Sequence, residues 1–283
     1  MFTSMKEALY KAYRQKYAVG AFNFSTIEIL NAIFKASVNT KSDIIVSTSE
    51  GELKHFGIEN AVAIVKSLGN RTKNKITLHL DHGKSFDIVK KCIIAGYPSV
   101  HIDASSKKFN ENIRLTKKIV NFAKKNNVWV EGELGSISGS STLHKQSYSD
   151  IVREEFMTNP DLARNFVEKT NINALAISIG NVHGIYHGKP KLDFNRLKKI
   201  HKKIKIPLVL HGGSGIPDKD IKKSIKIGIT KINVNTELRI AYANALRNSI
   251  SKNKKENVPY KILYSTIPAV QKVVEKKIKL FKG

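Results

Sequence analysis

The 283 residues, 41% of them hydrophobic, are enough to bury a full core, either as one large α/β barrel or as two small domains. A single cysteine, Cys92, excludes an intramolecular disulfide and suits a reducing compartment, and no apolar run is long enough to span a membrane, so the expectation is a soluble cytoplasmic protein with no membrane partner. The formal net charge of +26 invites a nucleic-acid reading, but the lysines come as scattered pairs such as Lys117-Lys118 and Lys202-Lys203 without interleaved aromatics, so nucleic acid is not the expected partner and steering of an anionic substrate is the more modest use of the field.

A capping-box spacing from Ser4 to Glu7 opens a short helix over residues 9–13; the first strand covers 18–24, and a second box, Ser25 to Glu28, starts an amphipathic helix running to about residue 40. A strand at 43–49 and a helix at 59–68 lead to residues 75–83, where Ile76, Leu78 and Leu80 alternate with Thr77, His79 and Asp81 until Gly83 stops the pattern. An acid, Asp81, and an imidazole, His82, therefore sit at a strand's C-terminal tip. A helix at 86–95, a strand at 99–104, a lysine-rich helix at 110–125 and a strand at 128–135 follow. From residue 136 to about 150 the chain is too long and too serine-rich for a tight connection; taken on to about 156, it reads as a mobile active-site loop. Asn159 and Pro160 supply the N-cap and first position of a helix to 169. Strands six, seven and eight fall at 174–180, 207–211 and 231–236, with helices at 194–203, 217–227 and 237–252. A C-terminal extension, about 253–283, ends in a helix near 268–279.

Eight strand-then-helix units predict an α/β fold, a single-domain (β/α)8 TIM barrel over residues 1–283 with an extra N-terminal helix and a C-terminal helix. Asn23, Ser49, Asp81, His82, Asp103, Glu133, His183, His211 and Asn233 all fall at or just past a strand's C-terminal end, and in this fold those ends converge on one mouth. His82, His183 and His211 arrive on three different strand ends, each beside a glycine; three neutral imidazoles leave a fourth position open on Zn²⁺, the arrangement of a catalytic site. Asp103 and Glu133 read either as a second cation position or as carboxylates hydrogen-bonded inside the barrel. His79 and His101 read as packed or supporting groups, and Glu131 as structural. Gly212-Gly213-Ser214-Gly215 after strand seven and Asn233-Val234-Asn235-Thr236 after strand eight occupy the barrel's phosphate position, where backbone N–H groups and a helix N-terminus hold an anion. No strand carries a lysine near its C-terminal end, and Lys231 begins strand eight at the wrong end for a Schiff base, so carbanion chemistry here is expected to use the metal.

With Val19-Gly-Ala-Phe-Asn23, His79-Leu-Asp81-His82, Ile102-Asp103-Ala-Ser105, Glu131-Gly-Glu133-Leu-Gly135, Gly180-Asn-Val-His183-Gly184, Leu210-His-Gly-Gly-Ser-Gly215 and Lys231-Ile-Asn233-Val-Asn-Thr236 in this order, the chain resembles the class II, zinc-dependent fructose-bisphosphate and ketose-bisphosphate aldolases. The resemblance implies a catalytic zinc on His82, His183 and His211, a second divalent position at Asp103 and Glu133, and a monovalent cation besides. It implies Asp81 as proton donor and acceptor at the aldol hydroxyl, Gly184, Gly212, Gly213, Ser214, Asn233, Asn235 and Thr236 on the dihydroxyacetone phosphate half, and Ser49 on the aldehyde half. The implied reaction is cleavage of fructose 1,6-bisphosphate to dihydroxyacetone phosphate and glyceraldehyde 3-phosphate. Tagatose bisphosphate or another ketose phosphate is the alternative substrate, a catalytically weak basic binding protein is the alternative of another class, and the implied assembly is a homodimer or homotetramer. Two departures stand out. The loop after Glu133-Leu-Gly135 lacks the family's acid until Asp150, so that either Asp150, Glu154 or Glu155 swings in or turnover is impaired; and Tyr260 and Ile267 stand where relatives carry arginines for the second phosphate, with Lys261 the nearby cation.

Overall fold

The structure, a computed structural model, describes residues 1–188 and 190–283. Its strands, in chain order, are β1 (Val19–Asn23), β2 (Ile44–Ser49), β3 (Ile76–Gly83), β4 (Ser99–Ile102), β5 (Trp129–Leu134), β6 (Gly139–Ser147), β7 (Ala174–Ile177), β8 (His183–His187), β9 (Leu208–Leu210) and β10 (Ile229–Val234). All but β6 and β8 pair in parallel and close into an eight-stranded barrel in the order β1, β10, β9, β7, β5, β4, β3, β2. Helices between consecutive barrel strands form the outer layer, as the alternation of strand and helix predicts.

Side-chain alternation along each strand divides the interior into tiers. Val46, Leu78, Val100, Val130, Leu175, Leu210 and Ile232 face outward and bury against the helices in the main core. The intervening residues face into the barrel. Lowest are Val19, Ala21, Ile45, Ala174, Ala176 and Val209, which pack on Met5, Leu9 and Ala12; the helix Lys6–Gln15 thus plugs the N-terminal end. The next tier is polar: Ser47, His79, Ser99, His101, Glu131 and Lys231 are all buried, and the strand registers set Ser47 beside His79, His79 beside Ser99, and His101 beside Glu131. Above that tier the barrel opens into the mouth.

Several boundaries differ from the sequence reading for local reasons. The first helix starts after a buried Met5 with no side-chain cap, because packing on the barrel floor outweighs a box at Ser4. In the second, Thr26 rather than Ser25 accepts from the Ile29 N–H. Ser49 caps a further helix, Glu50–Phe56, through a complete capping box with Glu52. The segment expected to be a loop carries β6, which pairs in parallel with β8 as a two-stranded sheet over the mouth. Strand six stops at Ile177, short of the expected residue 180, and His183 belongs to β8 rather than to a barrel strand. The C-terminal extension is part of the outer layer: Val270, Val274, Ile278 and Phe281 of the helix Thr266–Lys282 are buried in the main core. Among the described residues no helix is long and apolar enough to cross a membrane.

Candidate active site

The mouth holds a cavity of about 460 Å³ whose wall includes Asn23, Ser49, Asp81, His82, Asp103, His183, Gly184, His211, Gly212, Ser214, Asn233, Asn235 and Thr236. Two expected residues are not at that wall. Gly213 packs against β10, its N–H donating to the Asn233 carbonyl at 2.9 Å, and Glu133 lies behind His82, 1% exposed. Glu50, Lys84 and Arg239 line the cavity although sequence reasoning passed over them.

The three histidines converge. Ring centroids are 4.9 Å apart for His82 and His183, 4.6 Å for His82 and His211, and 6.0 Å for His183 and His211. His82 reaches this position from a left-handed backbone, φ 50°, a conformation that costs a non-glycine residue about 1–3 kcal/mol and persists where surroundings enforce it. Two of the rings have a nitrogen tied to a carboxylate. His82 Nδ1 donates to Asp103 Oδ2 at 2.9 Å and His211 Nε2 to Glu131 Oε1 at 2.7 Å, and the Ile137 backbone lies beside His183. A neutral imidazole with one nitrogen donating leaves a lone pair on the other, and His82 Nε2 is buried without any partner.

Burial opposes ionisation of Asp81, but the His82 and His211 imidazoles and the Lys231 ammonium outweigh it and hold the carboxyl well below its usual range. Asp103 is also held low, against its burial, by its hydrogen bond to His82. Glu131 is lowered despite burial, chiefly by Lys231, whereas burial and the neighbouring Asp103 push Glu133 well above the usual range. Burial works against a charged His82, yet Asp81, Asp103 and Glu133 around it push its pKa up to about 10. His183 is lowered to about 4 by burial and by His82. The pocket thus holds Asp81, Asp103 and Glu131 as carboxylates around His82 and Lys231, while Glu133 is held toward its neutral form. The donor set, imidazole nitrogens beside carboxylates, fits a divalent ion of the zinc type, which would take the place of the proton on His82. Asp81, His82, His101 and His211, and separately His82, Asp103 and Glu133, bring potential ligand atoms within 4.8 Å of one another; His183 belongs to neither group and approaches His82 at 4.9 Å between ring centroids.

Asp81 is built for a different task. Asn23 Nδ2 donates to its Oδ2 and Asn233 Nδ2 to its Oδ1, both at 3.0 Å, which fixes the carboxylate at the cavity wall with lone pairs to spare. Across the cavity, Gly212 adopts φ 64° where a Cβ would collide with the Val182 carbonyl, so the loop after β9 approaches as bare backbone. It faces Asn235 and Thr236 at the start of the helix Thr236–Lys252, a positive helix end next to open space.

Lys231 corrects the sequence reading in detail. It is the third residue of β10 rather than its first, and it is completely buried, with Nζ 2.7 Å from Glu131 Oε2. Ion pairing below the histidines keeps it from the mouth. The loop acids are accounted for elsewhere: Asp150 accepts from the Ser147 N–H, Glu154 pairs with Arg196 and Glu155 with Arg153, and none lines the cavity. Tyr260 is 71% exposed and Lys261 pairs with Glu256, also away from the cavity. Arg239 is the cation that reaches the wall, donating to Glu52 Oε1 at 2.8 Å and to the Ser141 carbonyl of β6 at 3.2 Å. Its place one helical turn after Thr236 was a signal available in the sequence, as was that of Lys84 directly after Gly83.

A profile of the family described as fructose-bisphosphate aldolase class-II matches residues 3–283. The chain is 42% identical over 282 residues to the fructose-bisphosphate aldolase of Staphylococcus aureus strain N315, covering 98% of this chain and 96% of that protein. Among solved structures it is similar to the YdjI aldolase from Escherichia coli K12, with a TM-score of 0.85, 33% identity, and 99% and 97% of the two chains covered. The fructose-bisphosphate aldolase of Campylobacter jejuni shares the fold, with a TM-score of 0.82 at 21% identity over 99% and 95% of the chains.

Proposed function

Because the chain belongs to the class II fructose-bisphosphate aldolase family, we propose that its mouth works through a catalytic zinc ion held by His82, His183 and His211 and through proton transfer at Asp81. The reaction is aldol cleavage of fructose 1,6-bisphosphate to dihydroxyacetone phosphate and glyceraldehyde 3-phosphate, and its reverse; the tagatose and binding-protein alternatives are not needed. The observation that carries the site assignment is the meeting of three imidazoles, two of them anchored to carboxylates and one, His82, with its other nitrogen unpartnered, beside an ionised and immobilised aspartate.

Bound there, zinc supplies a Lewis acid that stabilises the negative charge left on the ketose half when the C3–C4 bond breaks, an effect of several kcal/mol. Asp81 accepts the proton of the C4 hydroxyl in cleavage and returns it in condensation. Asn23 and Asn233 keep its carboxylate from rotating away, so no reorganisation is needed at the moment of transfer. Gly184, Gly212 and Ser214, with Asn233, Asn235 and Thr236, take the dihydroxyacetone phosphate half; Gly213 supports them by anchoring the loop to β10. Ser49, Lys84 and Arg239 take the aldehyde half, with Arg239 and Lys84 supplying the charge for the second phosphate. Asp103 and Glu133 offer a second cation position next to His82. Exposed Ile250, Tyr260 and Tyr264 near the C-terminus support assembly into a homodimer or homotetramer, and the buried free thiol of Cys92 suits a cytoplasmic setting.

The test is bound zinc and steady-state turnover in His82→Ala and Asp81→Asn. The first should lose both; the second should keep zinc and lose turnover by about 10²–10⁴-fold. Near wild-type turnover in Asp81→Asn would remove the aspartate from the mechanism.

A further inference from the structure

We infer that Lys231 is a positioning residue for the metal centre: by gripping Glu131 it holds His211 in the orientation and tautomer that present Nδ1 to the ion. The inference rests on the reading of His211 as a metal ligand. Lys231 Nζ lies 2.7 Å from Glu131 Oε2 and 3.4 Å from His79 Nε2, and Glu131 Oε1 lies 2.7 Å from His211 Nε2. His79 Nδ1 is in turn 2.8 Å from Ser99 Oγ. These five side chains form one hydrogen-bonded line through the polar tier, all buried, running from β4 to the loop after β9.

Direction along that line is set by chemistry. The ammonium has only protons to give, so His79 Nε2 accepts and His79 Nδ1–H donates to Ser99. The carboxylate has only lone pairs to give, so His211 Nε2 carries the ring proton and Nδ1 keeps its lone pair. That nitrogen faces the cavity side, where it accepts from Asn233 Nδ2 at 3.3 Å and lies 3.8 Å from Asp81 Oδ1. Lys231 occupies the second carboxylate oxygen and thereby fixes which way the first one points. A neutral or shorter side chain would leave Glu131 free to turn about its own axis, and the His211 ring with it. Carboxylate partners of this kind change metal affinity about 10–100-fold when removed.

Zinc affinity, measured by competition with a chromogenic chelator, and the melting temperature of zinc-free protein decide the matter for wild type, K231M, E131Q, K231M/E131Q and H211A. K231M and the double variant should bind zinc about 10–100-fold more weakly than wild type. K231M alone strands the Glu131 charge and endangers the fold; the double variant removes both charges and keeps the measurement possible. A zinc affinity equal to wild type in either, with H211A losing zinc, overturns the inference and leaves the site assignment intact, whereas wild-type affinity in H211A overturns both. The nitrogen-15 shifts of His211 in zinc-free wild-type protein supply a reading that needs no variant: the Nε2–H form is expected, and the Nδ1–H form overturns the proposal.

Discussion

Arg239 illustrates how a single residue escapes a sequence reading that finds its neighbours. Asp81, His82 and the Gly212 loop were legible because their chemistry sits at strand ends, where the fold delivers it to the mouth. Arg239 lies on a helix among 49 lysines and arginines, and only the turn of that helix toward Glu52 and β6 brings its guanidinium to the cavity. Lys231 was hidden by the opposite error, a strand start placed two residues late. The role assigned to Arg239 predicts a selective defect. Arg239→Met should raise KM for fructose 1,6-bisphosphate about tenfold or more, the size expected for loss of charge-assisted hydrogen bonds, while KM for fructose 1-phosphate, which lacks the distal phosphate, stays within about twofold. Equal increases for both substrates would place Arg239 outside the distal subsite. Glu52 Oε2 retains donors from Asn23 and from the Ser49 N–H and hydroxyl, and Oε1 keeps Asn235 Nδ2 at 3.5 Å, so the substitution leaves both oxygens a donor.

Elements that cover the mouth were harder to foresee than the barrel itself. The eight barrel strands announce themselves through alternation, since every second residue must meet a helix. Strand β6, reading Gly139-Ser-Ser-Thr-Leu-His-Lys-Gln-Ser147, has no apolar face to bury, and its pairing with β8 exists only because β7 ends early and returns the chain across the opening. The contact is close: a Cβ on Gly184 would meet the Ser140 carbonyl, and Gly212 tucks against the Val182 carbonyl that precedes β8. The loop after β9 and the cover sheet are therefore packed neighbours. Gly212→Ala should strain a left-handed residue and push the Val182 carbonyl, costing about 1–3 kcal/mol of stability and weakening inhibition by dihydroxyacetone phosphate. Urea denaturation and product-inhibition constants check the two effects. Unchanged product inhibition would show that the loop does not hold that phosphate.

At the scale of the whole molecule two charge balances oppose each other, and each has a measurable consequence. Inside, Asp81 and Asp103 are held as carboxylates against His82 while Lys231 pairs with Glu131, so a divalent ion taking the place of the His82 proton would stabilise the folded chain as well as the transition state. Chelation should abolish activity and lower the melting temperature; a ligand at about 1,000 times its Kd contributes about 4 kcal/mol, and each kcal/mol is worth roughly 2–4 °C in a chain of this size. Zinc should restore both, and a melting temperature indifferent to chelator would contradict the buried-charge argument. Outside, a formal charge of +26 surrounds a cavity whose own exposed cations are few, Lys84 and Arg239 among them. A phosphorylated substrate meets that field before it meets the site. The field reaches about 30 Å at 0.01 M salt and about 8 Å at 0.15 M, so kcat/KM should fall as ionic strength rises through this range, while kcat, which reports the bound complex, holds nearly constant. The comparison must be made with an inert salt that does not compete for the phosphate sites. A flat kcat/KM would mean that the scattered lysine pairs cancel at the mouth and serve only the solvated helical faces on which they sit.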